Sequence, residues 1–199
     1  MSYTNFVYDP AKSGIDPNIW RTLYGTPTTT GGVLSLTTSV MEHRADLMRG
    51  TYKFKVSMAQ PATGEDARFG LFFYGQGAYI IFDVSDTIFS AKVSDGVNAT
   101  SSTITWDTNW NDTYTDFRIQ WDVSLAKFFV NDTCVATLST NMPTNQLSVW
   151  LQNDSENGTA VLFKYIEGQG IVSYHLEPGI AVGASVTYGT ITPDQPTPF

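Results

Sequence analysis

The sequence predicts an all-β protein in which two antiparallel sheets pack face to face. Three observations favour this fold. Apolar and polar residues alternate over most of the chain, as they do in half-buried strands. No eleven-residue window carries an uninterrupted helical stripe of apolar residues. Turn residues recur every eight to twelve residues, which is the spacing of an antiparallel sandwich or barrel.

The first clear strands occupy residues 33–38 and 51–58. Along 51–58 the alternation is nearly complete, and one face carries Tyr52, Phe54, Val56 and Met58. Residues 68–74 and 78–84 are apolar segments on either side of the turn Gly75-Gln76-Gly77. Because a glycine-containing turn between two such segments favours tight strand reversal, they predict a hairpin.

The second half of the chain continues the pattern. Further strands are predicted at 87–93, 114–122, 126–131, 134–139, 146–152 and 159–166. Turn signals between them are Ser94-Asp95-Gly96, Asn131-Asp132 and Asn157-Gly158. No helix of crossover length intervenes, so the sheets should be antiparallel. The twelve Phe and ten Tyr residues suit a core filled from two facing sheets.

Composition excludes several classes of protein. The chain has 199 residues and a net charge of −8, which argues against nucleic acid and anionic membranes as partners. The single cysteine, Cys134, excludes an internal disulfide and a Cys-x-x-Cys centre. The two histidines, His43 and His175, make a histidine-rich metal site unexpected. We therefore predict no metal site and no cofactor.

The chain divides by composition into three parts. Residues 1–30 are predicted to form an N-terminal arm and the first strands, and residues 31–178 a jelly-roll domain. Residues 179–199 are rich in Gly, Thr and Pro and predict an extended tail, because Pro is excluded from sheet interiors. That tail is either a frayed end or an arm that docks on a neighbouring subunit. The first residues lack the basic and apolar regions of a secretory signal.

Several segments resemble the concanavalin A-like lectin/glucanase superfamily. In that superfamily a Tyr-Arg-Ile-x-Trp strand precedes a Phe-Tyr-Val-Asp-Gly hairpin and a short apolar strand. The matching segments here are 116–122, 126–132 and 135–137, followed by 140–144 and 147–151. Segments 67–73 and 79–84 are similar to laminin-G-like jelly rolls. The resemblance runs from about residue 33 to about residue 167 and implies one convex and one concave sheet, with sugars bound or cleaved on the concave face.

Hydrolytic members of that superfamily carry a strand that resembles Glu-x-Asp-x-x-Glu. None of the five glutamates follows this pattern: Glu42, Glu65, Glu156, Glu167 and Glu177. Retaining glycoside hydrolysis requires two carboxylates about 5–5.5 Å apart, either on one face of a strand or on facing strands. Glu42 and Asp46 are the nearest pair, and their spacing would place both on one face of a strand. We interpret them as a solvated strand end. The sequence therefore predicts no catalytic residues and no enzyme.

Six residues are candidate glycan ligands. Trp150 and Gln152 should face away from the core, because Leu147, Val149 and Leu151 occupy the opposite face. Tyr79 and Asp83 form a half-polar face on an earlier strand. The loop around residues 106–112 adds Trp106 and Trp110. Aromatic stacking beside an acid or amide is a common way to hold sugars, but the same residues also suit protein interfaces, and the two loop tryptophans also suit the cover of a sheet edge.

Two oxygen-rich turns also stand out. Residues 153–158 read Asn-Asp-Ser-Glu-Asn-Gly and form either a hairpin turn or a calcium-binding loop, with the turn favoured. Residues 64–66 read Gly-Glu-Asp and are interpreted as a turn rather than a cation site.

These observations predict a non-catalytic structural or adhesion protein on the surface of a bacteriophage virion, such as a capsid decoration, head fibre or tail-associated protein. Lectin-like sandwiches act outside cells, and a virion protein released by lysis needs no export signal. The expected partners are other virion subunits, copies of itself and a cell-surface glycan. Two alternatives stay open: a secreted carbohydrate-binding domain or glycoside hydrolase, and a cement protein that binds only capsid subunits.

Overall fold

The computed structural model describes residues 3–174, which form fifteen strands. In chain order they are β1 (Tyr3–Tyr8), β2 (Trp20–Tyr24), β3 (Thr28–Thr30), β4 (Val33–Leu36), β5 (Ser39–His43), β6 (Ala45–Ser57), β7 (Asp66–Phe73), β8 (Ala78–Ser85), β9 (Ile88–Asp95), β10 (Ala99–Thr103), β11 (Thr115–Trp121), β12 (Ala126–Val130), β13 (Thr133–Leu138), β14 (Ser148–Asn153) and β15 (Val161–Tyr174).

The strands form two antiparallel sheets. The eight-stranded sheet has the order β13-β12-β11-β6-β15-β4-β3, and β1 also pairs with β15. The seven-stranded sheet has the order β10-β9-β8-β7-β14-β5-β2. The expected all-β antiparallel sandwich is therefore confirmed, including the β7–β8 hairpin, in which Phe73 pairs with Ala78.

Between residues 3 and 174, helical structure is confined to short pieces. Asp9 caps the N-terminus of the helix α1 (Pro10–Ser13), and its carboxylate accepts a hydrogen bond from the Ala11 N–H. A single 3₁₀ turn covers Thr108–Trp110. None of the helices within residues 3–174 is long and apolar enough to cross a membrane. The predicted Pro-rich tail, residues 179–199, lies outside the described part of the chain.

Aromatic rings fill the space between the sheets. Phe69 of β7 lies at the centre and is 1% exposed. Its ring centroid is 5.7 Å from that of Phe54, 5.3 Å from Phe82, 5.2 Å from Phe117 and 6.1 Å from Phe163. These partners come from both sheets, so one side chain joins the two layers.

A second aromatic cluster surrounds His43 near the β2 edge of the seven-stranded sheet. Phe6 stacks on the imidazole at 4.9 Å, and Trp20 meets it edge-on at 5.1 Å. The Ala45 N–H donates to His43 Nδ1 at 3.1 Å, so that nitrogen carries no proton. Burial lowers the pKa of His43 from 6.5 to about 4.

We expect His43 to make the protein less stable in acid. Between pH 6.5 and 4 the unfolded chain binds a proton at this imidazole while the folded chain does not. The free energy of unfolding should therefore fall by about 3 kcal/mol as the pH is lowered through this window. Urea titrations at pH 7 and pH 4 measure the loss, and the His43→Asn variant should lose about 3 kcal/mol less. Equal losses in both proteins would contradict this assignment.

Candidate functional site

A groove of about 700 Å³ lies on the outer face of the seven-stranded sheet. Strands β2, β5, β7 and β14 and the residues next to them form its walls. Aromatic rings come from Tyr24, Phe72, Tyr74 and Trp150. Polar groups come from Arg68, Gln152 and Asp154. The groove thus combines flat apolar surfaces with hydrogen-bonding groups, which is the usual make-up of a ligand site.

The aromatic rings form a layered stack. Trp150 packs against Phe72 at 4.7 Å and lies nearly parallel to Tyr74, at 5.9 Å and 14°. Trp150 is only 4% exposed, whereas Tyr74 is 70% exposed and Tyr24 is 56% exposed. The rings that a ligand would meet first are therefore Tyr24 and Tyr74. Trp150 faces outward, as its strand position predicts, but it supports Tyr74 from below.

A hydrogen-bonded relay runs along β14. The Trp150 Nε1–H donates to Gln152 Oε1 at 2.9 Å, and Gln152 Nε2–H donates to Asp154 Oδ2 at 2.6 Å. Because the indole only donates, it fixes which end of the Gln152 amide is the acceptor. The other end of that amide then holds the Asp154 carboxylate in one orientation.

Arg68 lies next to Gln152 across the β7–β14 pair and next to Asp83 across the β7–β8 pair. Its Nε is 2.9 Å from Asp83 Oδ1, and its Nη2 is 3.2 Å from Asp66 Oδ1. Lys92 Nζ lies 2.6 Å from Asp83 Oδ2. Asp83 is 2% exposed, so its charge is balanced by two cations and shielded from solvent. Asp83 thus belongs to an internal ion-pair network, and its contact with a glycan stays a prediction.

Two further carboxyl groups face each other at the end of β7 and β14. Asp66 shares a strand face with Arg68, and Asp154 follows Gln152 on the partner strand. The Asp154 N–H donates to the Asp66 carbonyl at 2.7 Å, so the two residues are cross-strand neighbours. Cβ atoms in such a pair are about 4.5–5.5 Å apart.

The surroundings of the Asp66 carboxyl group shift its pKa upward. Burial raises the pKa of this carboxyl above its ordinary value, the Arg68 guanidinium opposes the rise, and the charges of Asp83 and Asp154 add to it. A carboxyl group with a raised pKa beside a second carboxyl group is the arrangement used for acid–base work at one bond. Within residues 3–174, no group of three or more His, Cys, Asp or Glu side chains is placed to hold a metal ion.

The structure separates the six residues predicted to bind a glycan. Trp150, Gln152, Tyr79 and Asp83 share the outer face of the seven-stranded sheet, and the Tyr79 ring stacks on Phe72 at 5.8 Å.

The two loop tryptophans lie elsewhere. The Trp106 and Trp110 rings are 5.4 and 6.3 Å from that of the buried Phe89, and Trp106 Nε1–H donates to Asn111 Oδ1. Neither ring lines the groove. They cover an edge of the core, which is the structural alternative that the sequence left open.

The interpretation of Glu42 and Asp46 as a solvated strand end was wrong for Glu42. Glu42 is 8% exposed, and its Oε2 lies 2.6 Å from Arg21 Nη2. Glu42 belongs to β5 of the seven-stranded sheet, whereas Asp46 belongs to β6 of the eight-stranded sheet. A bend at Arg44, where the chain passes from one sheet to the other, separates them, so the spacing of two residues on one strand does not apply.

Sequence reasoning missed Asp66, Asp154, Tyr24 and Tyr74. The first two were present in the turns singled out above, but the pairing of β7 with β14 joins segments about 80 residues apart. No local pattern specifies that register. A partial signal was available, because Asp66 and Arg68 are two residues apart and therefore lie on the same face of a strand.

Comparison with known proteins gives matches in structure only. No protein-family model matches the chain, and no curated protein matches it significantly. A prokaryotic β-1,3-1,4-glucanase (lichenase) from a mouse hindgut metagenome superposes with a TM-score of 0.70 at 11% identity, over 84% of this chain and 100% of the other.

Two other solved structures have the same architecture. The laminarinase catalytic domain of Thermotoga maritima MSB8 gives a TM-score of 0.68 at 11% identity, over 87% of this chain and 100% of the other. The Crh5 transglycosylase gives 0.64 at 12% identity, over 83% of this chain and 84% of the other.

These matches correct the functional expectation. The similar structures are glycoside hydrolases and a transglycosylase, so they contradict the prediction of a non-catalytic virion protein and favour its alternative, a glycoside hydrolase. Nothing in the matches supports a virion role. The resemblance of fold is confirmed: the chain has the concanavalin A-like jelly roll that these glucanases share.

Proposed function

We propose that the protein is a glycoside hydrolase that binds a polysaccharide in the groove and cleaves it with Asp66 and Asp154. The observation that carries this proposal is the facing pair of carboxyl groups beside an aromatic groove. Retaining glycosidases place two carboxyl groups about 5–5.5 Å apart, and Cβ atoms about 4.5–5.5 Å apart in a cross-strand pair leave two short Asp side chains room to reach that separation.

The two carboxyl groups suit different roles. Asp66, whose carboxyl pKa is raised above its ordinary value, would give a proton to the glycosidic oxygen as the bond to the anomeric carbon breaks. Asp154, oriented by Gln152, would attack the anomeric carbon and form a glycosyl ester. Asp66 would then take a proton from the water that hydrolyses this ester, so both carboxyl groups return to their starting states.

The groove supplies the binding energy. Tyr24 and Tyr74 expose ring faces on which the C–H faces of sugars can stack. Residues 150 and 154 are about 13 Å apart along the strand at ~3.3 Å per residue, so a chain that touches the Tyr74–Trp150 stack and Asp154 together is an oligosaccharide. A glycan substrate also accords with the cell-surface glycan expected as a partner. That partner, self-association, and secretion, which the sequence left open as an alternative location, stay predictions.

The test is hydrolysis of a polysaccharide panel. The purified full chain should release reducing ends from at least one neutral β-linked glucan, and mixed-linkage β-glucan and laminarin come first because solved structures with this fold are a lichenase and a laminarinase. Product sizing by mass spectrometry distinguishes internal cleavage from removal of terminal sugars. If the panel also includes chitin, xylan and bacterial cell-wall glycan and none is cleaved, the proposal is wrong.

A further inference from the structure

Two turns that are far apart in the sequence share one hydrogen-bond network, whose members are buried except for the exposed Asn157. The turn at residues 64–66 precedes β7, and residues 153–158 follow β14. Both were singled out above for their oxygen-rich composition, and the proposed hydrolysis uses only one carboxyl group from each. The other polar side chains of the two turns contact one another.

Glu65 is the centre of the network and is 8% exposed. Its Oε1 accepts a hydrogen bond from Asn157 Nδ2 at 2.7 Å, and its Oε2 lies 2.8 Å from Ser155 Oγ. Neutral amide and hydroxyl groups thus approach both carboxylate oxygens. A buried carboxylate loses much of its hydration, and these hydrogen bonds offset that cost.

The same network reaches the backbone of both proposed catalytic residues. Ser155 Oγ accepts the Asp66 N–H at 3.1 Å, and the Asp154 N–H donates to the Asp66 carbonyl at 2.7 Å. The Glu156 N–H donates to the Gly64 carbonyl at 2.8 Å. Residues 64–66 are therefore tied to residues 154–156 by three hydrogen bonds that flank the carboxyl pair.

Asn153 completes the connection from the other side. It is fully buried, and its Nδ2 donates to the Leu36 and Thr159 carbonyls, each at 2.7 Å. Its Oδ1 accepts the Ser155 N–H at 3.2 Å. The turn that carries Asp154 is consequently anchored to β4 of the opposite sheet as well as to Glu65.

We infer that Glu65, Asn153, Ser155 and Asn157 form a clamp that sets the spacing of Asp66 and Asp154. The inference rests on the proposed function for its catalytic meaning. Retaining hydrolysis needs the two carboxyl groups held within a narrow range of separation, and reacting groups displaced by 1 Å can cost about 10²-fold in rate. Glu65 and Asn157 are positioning residues, because they act only through the two aspartates.

An exchange of hydrogen-bond partners tests the clamp. Glu65→Gln lets the new amide turn an N–H group toward the Asn157 amide, and Asn157→Asp places a second carboxylate against Glu65. Each single variant should lower kcat at least about 10-fold and change KM less than about 2-fold. The double variant restores one donor and one acceptor with the same net charge, so kcat should return to within about 3-fold of the unaltered chain. Glu156→Gln, an exposed change in the same turn, is the matched control.

The pH–rate profile separates positioning from general structural support. If the clamp holds the carboxyl groups close together, the single variants let them separate, and the basic limb of kcat/KM moves to lower pH. In the double variant, the basic limb of kcat/KM should return to its pH position in the unaltered chain. Loss of folded protein alone would scale the rate at every pH without moving the limb.

Hydrogen exchange supplies a measurement that needs no substrate. In Glu65→Gln, exchange should accelerate at least about 10-fold in peptides that cover residues 62–68 and 152–158, and stay unchanged in β8 and β9. If the unaltered chain cleaves no glycan but this pattern appears, the proposed function fails and the clamp stands. Uniform acceleration of hydrogen exchange over both sheets would overturn the clamp. Single variants that keep the kcat and the exchange protection of the unaltered chain would also overturn it.

Discussion

Hydrolysis should fall by at least about 10²-fold when either Asp66 or Asp154 is replaced with asparagine. Asp66→Asn removes the proton that the leaving oxygen needs. Asp154→Asn removes the nucleophile and leaves an amide at the same place. Both changes preserve size, so the Gln152 contact and the sheet register can persist. Initial rates of reducing-end release on the best substrate of the panel measure the loss.

Asp132→Asn is the matched control for these two variants. Asp132 lies in the turn between β12 and β13 of the eight-stranded sheet, and its side chain is 95% exposed. Its ion pair with Arg118 is a surface contact of little energetic weight. The control should keep the rate of the unaltered chain. If Asp66→Asn or Asp154→Asn keeps full activity, the carboxyl group replaced in that variant takes no part in the mechanism.

The largest effect on stability is expected for Phe69→Ala. The ring lies at the centre of the core and contacts four other phenylalanine rings from both sheets. Its removal should lower the free energy of unfolding by roughly 3–5 kcal/mol, because the apolar contacts are lost and a cavity remains. Urea unfolding followed by circular dichroism measures the change.

Phe129→Ala provides the comparison for Phe69. Phe129 lies on the outer face of the eight-stranded sheet, half-buried, with the Arg118 guanidinium 3.8 Å from its ring centroid. Its removal exposes little core surface, so the loss should be about 1 kcal/mol or less. Similar losses for both variants would mean that the centre of the core is not where the ring contacts place it.

The sequence predicted those strands whose two faces differ in polarity. Residues 51–58 alternate because one face lies in the core, whereas residues 68–74 and 78–84 were predicted as apolar segments on either side of a glycine-containing turn. Strand β5 was not predicted, since all five of its residues are buried and no alternation appears. Strand β10 was also missed, because Ala99–Thr103 contains no large apolar residue. Its pairing with β9 supplies the backbone contacts that its side chains do not indicate.

The site was less accessible to sequence reasoning than the fold. Strand parity correctly placed Trp150 and Gln152 on the outer face, but the exposure of Trp150 depends on Tyr74, which belongs to another segment. The search for catalytic acids allowed pairs along one strand and pairs on facing strands, but only the spacing along one strand could be evaluated without a register. Asp66 and Asp154 come from two strands, and only the β7–β14 register brings them together. That is why the absence of a single acidic strand led to the wrong expectation of a non-enzyme.

The Tyr74–Trp150 stack places a fluorescent side chain, Trp150, in the wall of the groove. Trp150 lines the groove, whereas the chain's other four tryptophans do not: Trp20, Trp106, Trp110 and Trp121. Emission from an indole responds to the polarity and mobility of whatever lies against its face. A saccharide settling on Tyr74 would change the surroundings of this one fluorophore, so occupancy could be followed by intrinsic fluorescence without any label.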